Sequence, residues 1–150
     1  MGTALTVSSR HDELTISANG AEVRRASEWL DMACLQHDVP QTLTEQLVLC
    51  LNEVLANVIT HGGTSALSAP IRLLFELTRD QDCSKASVTV SDAGMPFNPR
   101  SAPKKISPKT LAEASEGGFG LVLIRRCSDW LDYRHEDGRN HLTFGTRWNL

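Results

Sequence analysis

The sequence predicts an α+β fold, a mixed, mainly antiparallel sheet with helices covering one of its faces. Two observations carry this reading. Strand-patterned runs come in pairs about short polar turns: Ile71 to Thr78 with Ala86 to Ser91, and Trp130 to His135 with His141 to Trp148. Two longer stretches, Gly20 to His37 and Leu47 to His61, repeat apolar residues at helical spacing. At 150 residues and 41% hydrophobic, the chain is long enough for one ordinary core and short for two, so residues 1–150 are read as a single domain.

Charge and cysteine usage narrow the classes. The net charge is -3, and Lys and Arg are spread along the chain apart from Lys104, Lys105 and Lys109, which argues against a direct nucleic-acid surface. Cys34, Cys50, Cys83 and Cys127 stand far apart with no C-x-x-C pair, so neither a disulfide framework nor a zinc site is expected. No run approaches the ~18 apolar residues of a membrane span, and the first residues carry no apolar signal segment. A cytoplasmic protein with no membrane partner is expected.

In chain order, Leu5 to Ser9 and Glu13 to Ala18 alternate apolar and polar residues and read as two strands paired through Arg10 to Asp12. Val23, Ala26, Trp29, Leu30, Ala33 and Cys34 then form one face of a helix, capped by Asn19 or Gly20. Thr42 or Thr44 begins the next helix, and Gly62 with Gly63 stops it after His61. Thr64 to Pro70 reads as a polar connection. The first hairpin turns at Arg79 to Lys85 and the second at Asp137 and Gly138. Between them, Asp92 to Gly118 contains Pro96, Pro99, Pro103 and Pro108; an irregular stretch of that length reads as a functional loop, and Asn98 to Gly117 as a lid. Leu121 to Cys127 resumes as an apolar helix.

Three short stretches hold the chemistry. In the helix ending at His61, Leu47, Leu51, Val54, Leu55 and Val58 make the apolar stripe, while Glu53, Asn57 and His61 stand on a row beside it. Leaving such a carboxylate or amide buried and unpaired costs roughly 1 to 3 kcal/mol each, so something polar is expected against that row. Taken alone, the row also fits a solvated helix face, and His61 a group that caps carbonyls. Asp92 ends a strand, where its carboxylate can accept a hydrogen bond from an exocyclic amine; an ordinary turn aspartate fits the same residues. Gly94 would let a flat base approach the backbone. Gly117, Gly118 and Gly120 precede a helix, where exposed N–H groups and the helix dipole favour phosphate, or where the glycines merely loosen the helix start. A third dinucleotide-type glycine would fall at Leu123, and no G-K-[ST] follows, so neither a Rossmann turn nor a P-loop is supported.

Together the stretches LNEVLANVITH, SDAGMPFNP and EGGFGLVLI resemble, in order, the three ATP-site boxes of the superfamily of gyrase, heat-shock chaperone, histidine kinase and mismatch-repair ATPases. The forms E-x-x-x-N-x-x-x-H, D-x-G-x-P-F-x-P and G-G-x-G-L-x-L-I are most similar to those of the bacterial partner-switching anti-sigma factor serine kinases. The resemblance spans roughly Glu45 to Leu142.

That resemblance implies a two-layer α/β sandwich with nucleotide between the helices and the long loop. It implies MgATP as the bound species, Glu53 as catalytic base and Asn57 as the Mg²⁺ ligand. Asp92 and Gly94 would meet the adenine, and Gly117, Gly118, Phe119, Gly120 and Leu121 the phosphates. The implied activity is phosphorylation of a Ser or Thr on an anti-sigma-factor antagonist by a protein that also sequesters a sigma factor, with a homodimer as the family's usual state. The alternative is an ATP-gated protein-binding module without kinase activity. One departure bears on it: relatives of the sporulation type carry Arg two residues before the first Gly of their G-x-G, and this chain has Glu116 there. Lys104, Lys105, Lys109 or Arg125 could supply the cation instead, and a solvated basic loop fits each of them at least as well.

Overall fold

A computed structural model of the chain describes residues 8–96 and 127–149. Within them the order is β1 (Ser8–Ile16), α1 (Gly20–Gln36), α2 (Gln41–His61), α3 (Gly63–Leu67), β2 (Ile71–Arg79), β3 (Cys83–Asp92), β4 (Trp130–Glu136) and β5 (Arg139–Asn149). The strands form one sheet in the order β1-β2-β3-β5-β4. Every described pairing is antiparallel, so the parallel component of the expected mixed sheet is absent among the described residues. The α+β class stands.

Strand alternation explains the two faces. Ile71, Leu73, Phe75 and Leu77 of β2 lie beside Val90, Val88 and Ala86 of β3, which in turn face Leu142 and Phe144 of β5. These side chains, all buried except the half-exposed Leu142, form the inner surface, and α1 and α2 pack over it. The alternate positions, including Glu13, Arg72, Glu76, Lys85 and Arg147, are exposed on the other face. Fully burying a residue such as Phe75 contributes about 1.5 to 3 kcal/mol, and the cluster of such residues holds the two layers together.

The N-terminal expectation needs correcting. Instead of two strands about a turn at Arg10 to Asp12, β1 runs unbroken from Ser8 to Ile16 and pairs along its length with β2. Arg10, His11 and Asp12 include no Gly, Pro or Asn to favour a reversal, and β2 offers a full-length partner. Residues 1–7 lie outside the described set. The other hairpins form as expected. Asp137 and Gly138 both take positive φ, 54° and 73°, as a two-residue primed turn requires.

Helix α1 starts from a side-chain cap, and α2 does not. Asn19 caps α1, its Oδ1 accepting from the Glu22 N–H at 3.0 Å. Helix α2 begins at Gln41 after Pro40, earlier than the threonine caps expected; Thr44 instead lies inside its first turn and donates its hydroxyl back to the Pro40 carbonyl at 3.2 Å. Gly62 ends α2 as expected, but the following polar stretch holds the short helix α3. Between α1 and α2, Ser27 Oγ donates to Asn52 Oδ1 at 2.8 Å and Asn52 Nδ2 to the Val48 carbonyl at 3.0 Å. That contact fixes the rotation of α2 one residue before Glu53.

Candidate nucleotide site

Helix α2 buries Leu47, Cys50, Leu51, Val54, Leu55 and Val58 against the sheet. Glu53 and Asn57 are half-buried at the border of that stripe, and His61 is exposed. Four helical residues advance ~400°, so each step along the row rotates it ~40° away from the core, which accounts for the outward position of His61. Neither the Glu53 nor the Asn57 side chain forms a hydrogen bond with another described residue, although a polar partner was expected against the row. Their polar atoms are therefore available to something other than the described protein.

Asp92 closes β3 and is buried, with 6% of its surface exposed. Its Oδ1 accepts from the Gly94 N–H at 2.8 Å and from Asn140 Nδ2 at 3.2 Å. No described residue donates to its Oδ2. One carboxylate oxygen is pinned and the other keeps its acceptor capacity. Asn140 stands directly across the β3–β5 ladder from Asp92 and is itself buried. Its Nδ2 also lies 3.2 Å from the Gly94 carbonyl and 2.8 Å from that of Met95, and Tyr133 donates its phenol to Asn140 Oδ1.

Gly94 is required by packing of the chain on itself. A Cβ there would stand 2.7 Å from Asp92 Oδ1 and 3.0 Å from the Gly62 carbonyl oxygen. The space a side chain would take at Gly94 is thus filled by Gly62 and by the Asp92 carboxylate. Met95 donates its N–H to the same Gly62 carbonyl at 3.2 Å, which joins the turn after Asp92 to the end of α2. Nearby, Arg139 donates to Ser91 Oγ at 2.9 Å, to the Ser91 carbonyl at 2.8 Å and to the Pro70 carbonyl at 2.9 Å. Burial, reinforced by Arg72, holds its guanidinium below the ordinary range, and Asp92 acts in the opposite sense.

The structure thus brings two of the three boxes to one end of the sandwich. The third, Gly117, Gly118, Phe119, Gly120 and Leu121, lies outside the described residues, as do Phe97, Glu116, the three lysines, Arg125 and the stretch read as a lid. Description resumes at Cys127, whose thiol reaches that of Cys50 on α2. Burial first, then Cys127, pushes the Cys50 thiol up to about 12. Cys127 therefore lies beside α2 one turn before Glu53.

Asn140 and Tyr133 were missed by sequence reasoning. Asn140 flanks the Asp137–Gly138 turn and sits before the alternating run that marks β5, so nothing local sets it apart. Only the register of β5 on β3 brings it to Asp92.

Residues 16–146 match the family described as Histidine kinase-like ATPase domain. The Serine/threonine-protein kinase BtrW of Bordetella bronchiseptica is 32% identical over 137 residues, covering 91% of this chain and 94% of that protein. A chain in the crystal structure of the SiaB-SiaC complex from Pseudomonas aeruginosa has the same fold, with a TM-score of 0.54 at 11% identity, covering 91% of this chain and 89% of that one. The kinship carried by the three boxes extends over nearly the whole chain, which belongs to the histidine kinase-like ATPase domain family, among the bacterial partner-switching serine/threonine kinases.

Proposed function

We propose that this protein binds MgATP where the end of α2 meets the turn after Asp92, and transfers the terminal phosphoryl group to a Ser or Thr of an anti-sigma-factor antagonist. The observation that carries the reading is Asp92 itself: a buried carboxylate with Oδ1 held by two donors and Oδ2 left as an acceptor, on a turn seated against the helix that carries Glu53 and Asn57. Kinship with a kinase supports the reaction class.

In this reading Asp92 Oδ2 accepts a hydrogen bond from the adenine amine, with Gly94 keeping the turn closed. Asn57 supplies a neutral oxygen to Mg²⁺, which suits a metal already balanced by phosphate charge, and Mg²⁺ when bound neutralises charge on the phosphates. The backbone of Gly117, Gly118, Phe119, Gly120 and Leu121 holds the phosphates. Glu53 takes the proton of the attacking hydroxyl as its oxygen bonds to the terminal phosphorus. The bond from that phosphorus to the bridging oxygen breaks, and ADP leaves.

The same protein sequesters a sigma factor when the antagonist is phosphorylated, works in the cytoplasm and forms a homodimer. The outer edge of β1, unpaired among the described residues, offers backbone donors and acceptors for the dimer contact. A second reading, a nucleotide-gated binder without transfer, draws on Glu116, since an acidic residue cannot stabilise a transferring phosphoryl group. Incubation with MgATP and candidate antagonists, followed by mass spectrometry, decides between them: a phosphorylated Ser or Thr supports the kinase, and unmodified antagonist despite nucleotide binding supports the gated binder.

A further inference from the structure

We infer that Tyr133 and Asn140 are positioning residues that make the site select a 6-aminopurine, by holding Asp92 so that its free oxygen can only accept. The inference rests on Asp92 as the acceptor for the base amine and adds the two residues that fix its orientation.

The hydrogen-bond inventory sets the direction of each bond. Asn140 Nδ2 faces three oxygens, Asp92 Oδ1 at 3.2 Å, the Gly94 carbonyl at 3.2 Å and the Met95 carbonyl at 2.8 Å. The carbonyls are acceptors only, and so is an ionised carboxylate. Rotating the amide by half a turn would set its oxygen against all three, so the donor end must face them. The Asn140 oxygen then points the other way, and the phenol of Tyr133 donates to it. Tyr133 thus stabilises one of the two amide orientations, and that orientation delivers a donor to Asp92.

The consequence falls on the carboxylate. With Gly94 N–H and Asn140 Nδ2 both on Oδ1, rotation about the Asp92 side chain would break two bonds in a buried place. Oδ2 is therefore kept in a fixed direction as an acceptor. A base carrying an amine at position 6 can donate to it, whereas a 6-oxo base presents an acceptor and is repelled, and a base with neither gains nothing. Asn140 also ties the Gly94 and Met95 carbonyls, so the acceptor and the turn resting on Gly62 are set by one side chain.

The test measures equilibrium binding of ATP and of purine riboside triphosphate, which lacks only the amine, both with Mg²⁺. Wild type, Tyr133→Phe, Asn140→Ala and Asp92→Asn are compared, with thermal unfolding to check that each is folded. Tyr133→Phe keeps the ring and removes only the hydroxyl, so it addresses the case in which Asn140→Ala does not fold. The expected result is a wild-type preference for ATP of about 10-fold or more, as one charge-assisted bond gives. That preference should fall several-fold in Tyr133→Phe, with affinity for the analogue near wild type, and nearly vanish in Asn140→Ala and Asp92→Asn. If Asp92→Asn loses the preference but Tyr133→Phe and folded Asn140→Ala keep the wild-type ratio, the positioning role is overturned and the adenine reading stands. Equal weakening of both nucleotides in Tyr133→Phe would likewise overturn it, as a merely structural effect. If Asp92→Asn keeps the full preference, or the wild type binds neither nucleotide, the adenine reading itself fails and this inference with it.

Discussion

The N–H of Met95 donates to the carbonyl of Gly62 at 3.2 Å, so the turn that follows Asp92 is fastened to the residue that ends α2. Two stretches more than thirty positions apart in the sequence are made into one site by that bond and by the absence of a side chain on Gly94. If Asp92 accepts from the adenine amine as proposed, Asp92→Ala removes that acceptor together with both of the bonds at Oδ1. Because a hydrogen bond to a charged group contributes about 1.5 to 3 kcal/mol, ATP affinity should fall roughly 10- to 150-fold. Calorimetry on the folded variant checks this, and equal affinity in the two proteins would remove Asp92 from the site.

A second prediction concerns the far hairpin. Gly145 of β5 faces Trp130 of β4, and a Cβ on Gly145 would come within 2.1 Å of the indole ring. Arg147 also lies over that ring, its guanidinium 5.6 Å from the centroid. Gly145→Ala must displace the indole and lose this packing, with an expected cost of about 1 to 3 kcal/mol. Urea denaturation should show a lower midpoint with an unchanged slope. In a Trp130→Ala background the same substitution should cost much less, since the clash has gone. A wild-type midpoint for Gly145→Ala would contradict the close contact.

How far the sequence discloses this molecule depends on what each feature rests on. The strands of β2 and β3 were legible because alternating burial leaves an alternating pattern, and the β4–β5 turn because Asp137–Gly138 is one of the few pairs that tolerate positive φ at both positions. Glu53 and Asn57 were legible as polar residues at the margin of an apolar stripe. The extent of β1 was not, because its exposed Arg10 and His11 are explained only by the partner strand beside them. Asn140 was hidden for a similar reason. Its neighbours Asp92, Gly94 and Met95 are supplied by strand register, which no local pattern encodes.

The buried thiols give a prediction in pH. Burial pushes Cys34 from 9.0 up to about 11 and Cys50 from 9.0 up to about 12. In each case burial leads the causes, with the negative charge of Asp31 also raising Cys34 and the Cys127 thiol also raising Cys50. A thiol whose folded value exceeds the unfolded one binds its proton more tightly when folded. Its contribution to stability is full below about pH 9 and is lost as pH rises through the folded value. Alkylation at pH 8 in the native state should accordingly leave Cys34 and Cys50 largely unmodified, and stability should decline from pH 9 upward. Rapid labelling of both in folded protein would show that neither is protected as described.

The last prediction separates a kinase from a gated binder and turns on the two half-buried residues of α2. If Glu53 accepts the hydroxyl proton, Glu53→Ala removes a general base, a role that typically contributes ~10² to 10⁴-fold to rate. Nucleotide binding should then persist, because the Glu53 side chain makes no hydrogen bond to a described residue and its loss leaves no buried partner stranded. If Asn57 holds Mg²⁺, Asn57→Ala should weaken both binding and transfer, since the phosphates would lose the metal that neutralises them. The two variants therefore differ in kind: one holds MgATP without reacting, the other holds it poorly. If the protein also sequesters a sigma factor as proposed, that capture should survive Glu53→Ala, giving a protein that keeps its target and cannot inactivate the antagonist. Calorimetry with MgATP, set beside single-turnover transfer to the antagonist, resolves the cases. Equal transfer rates for wild type and Glu53→Ala would exclude Glu53 as the base, and binding without transfer in the wild type would establish the gated binder.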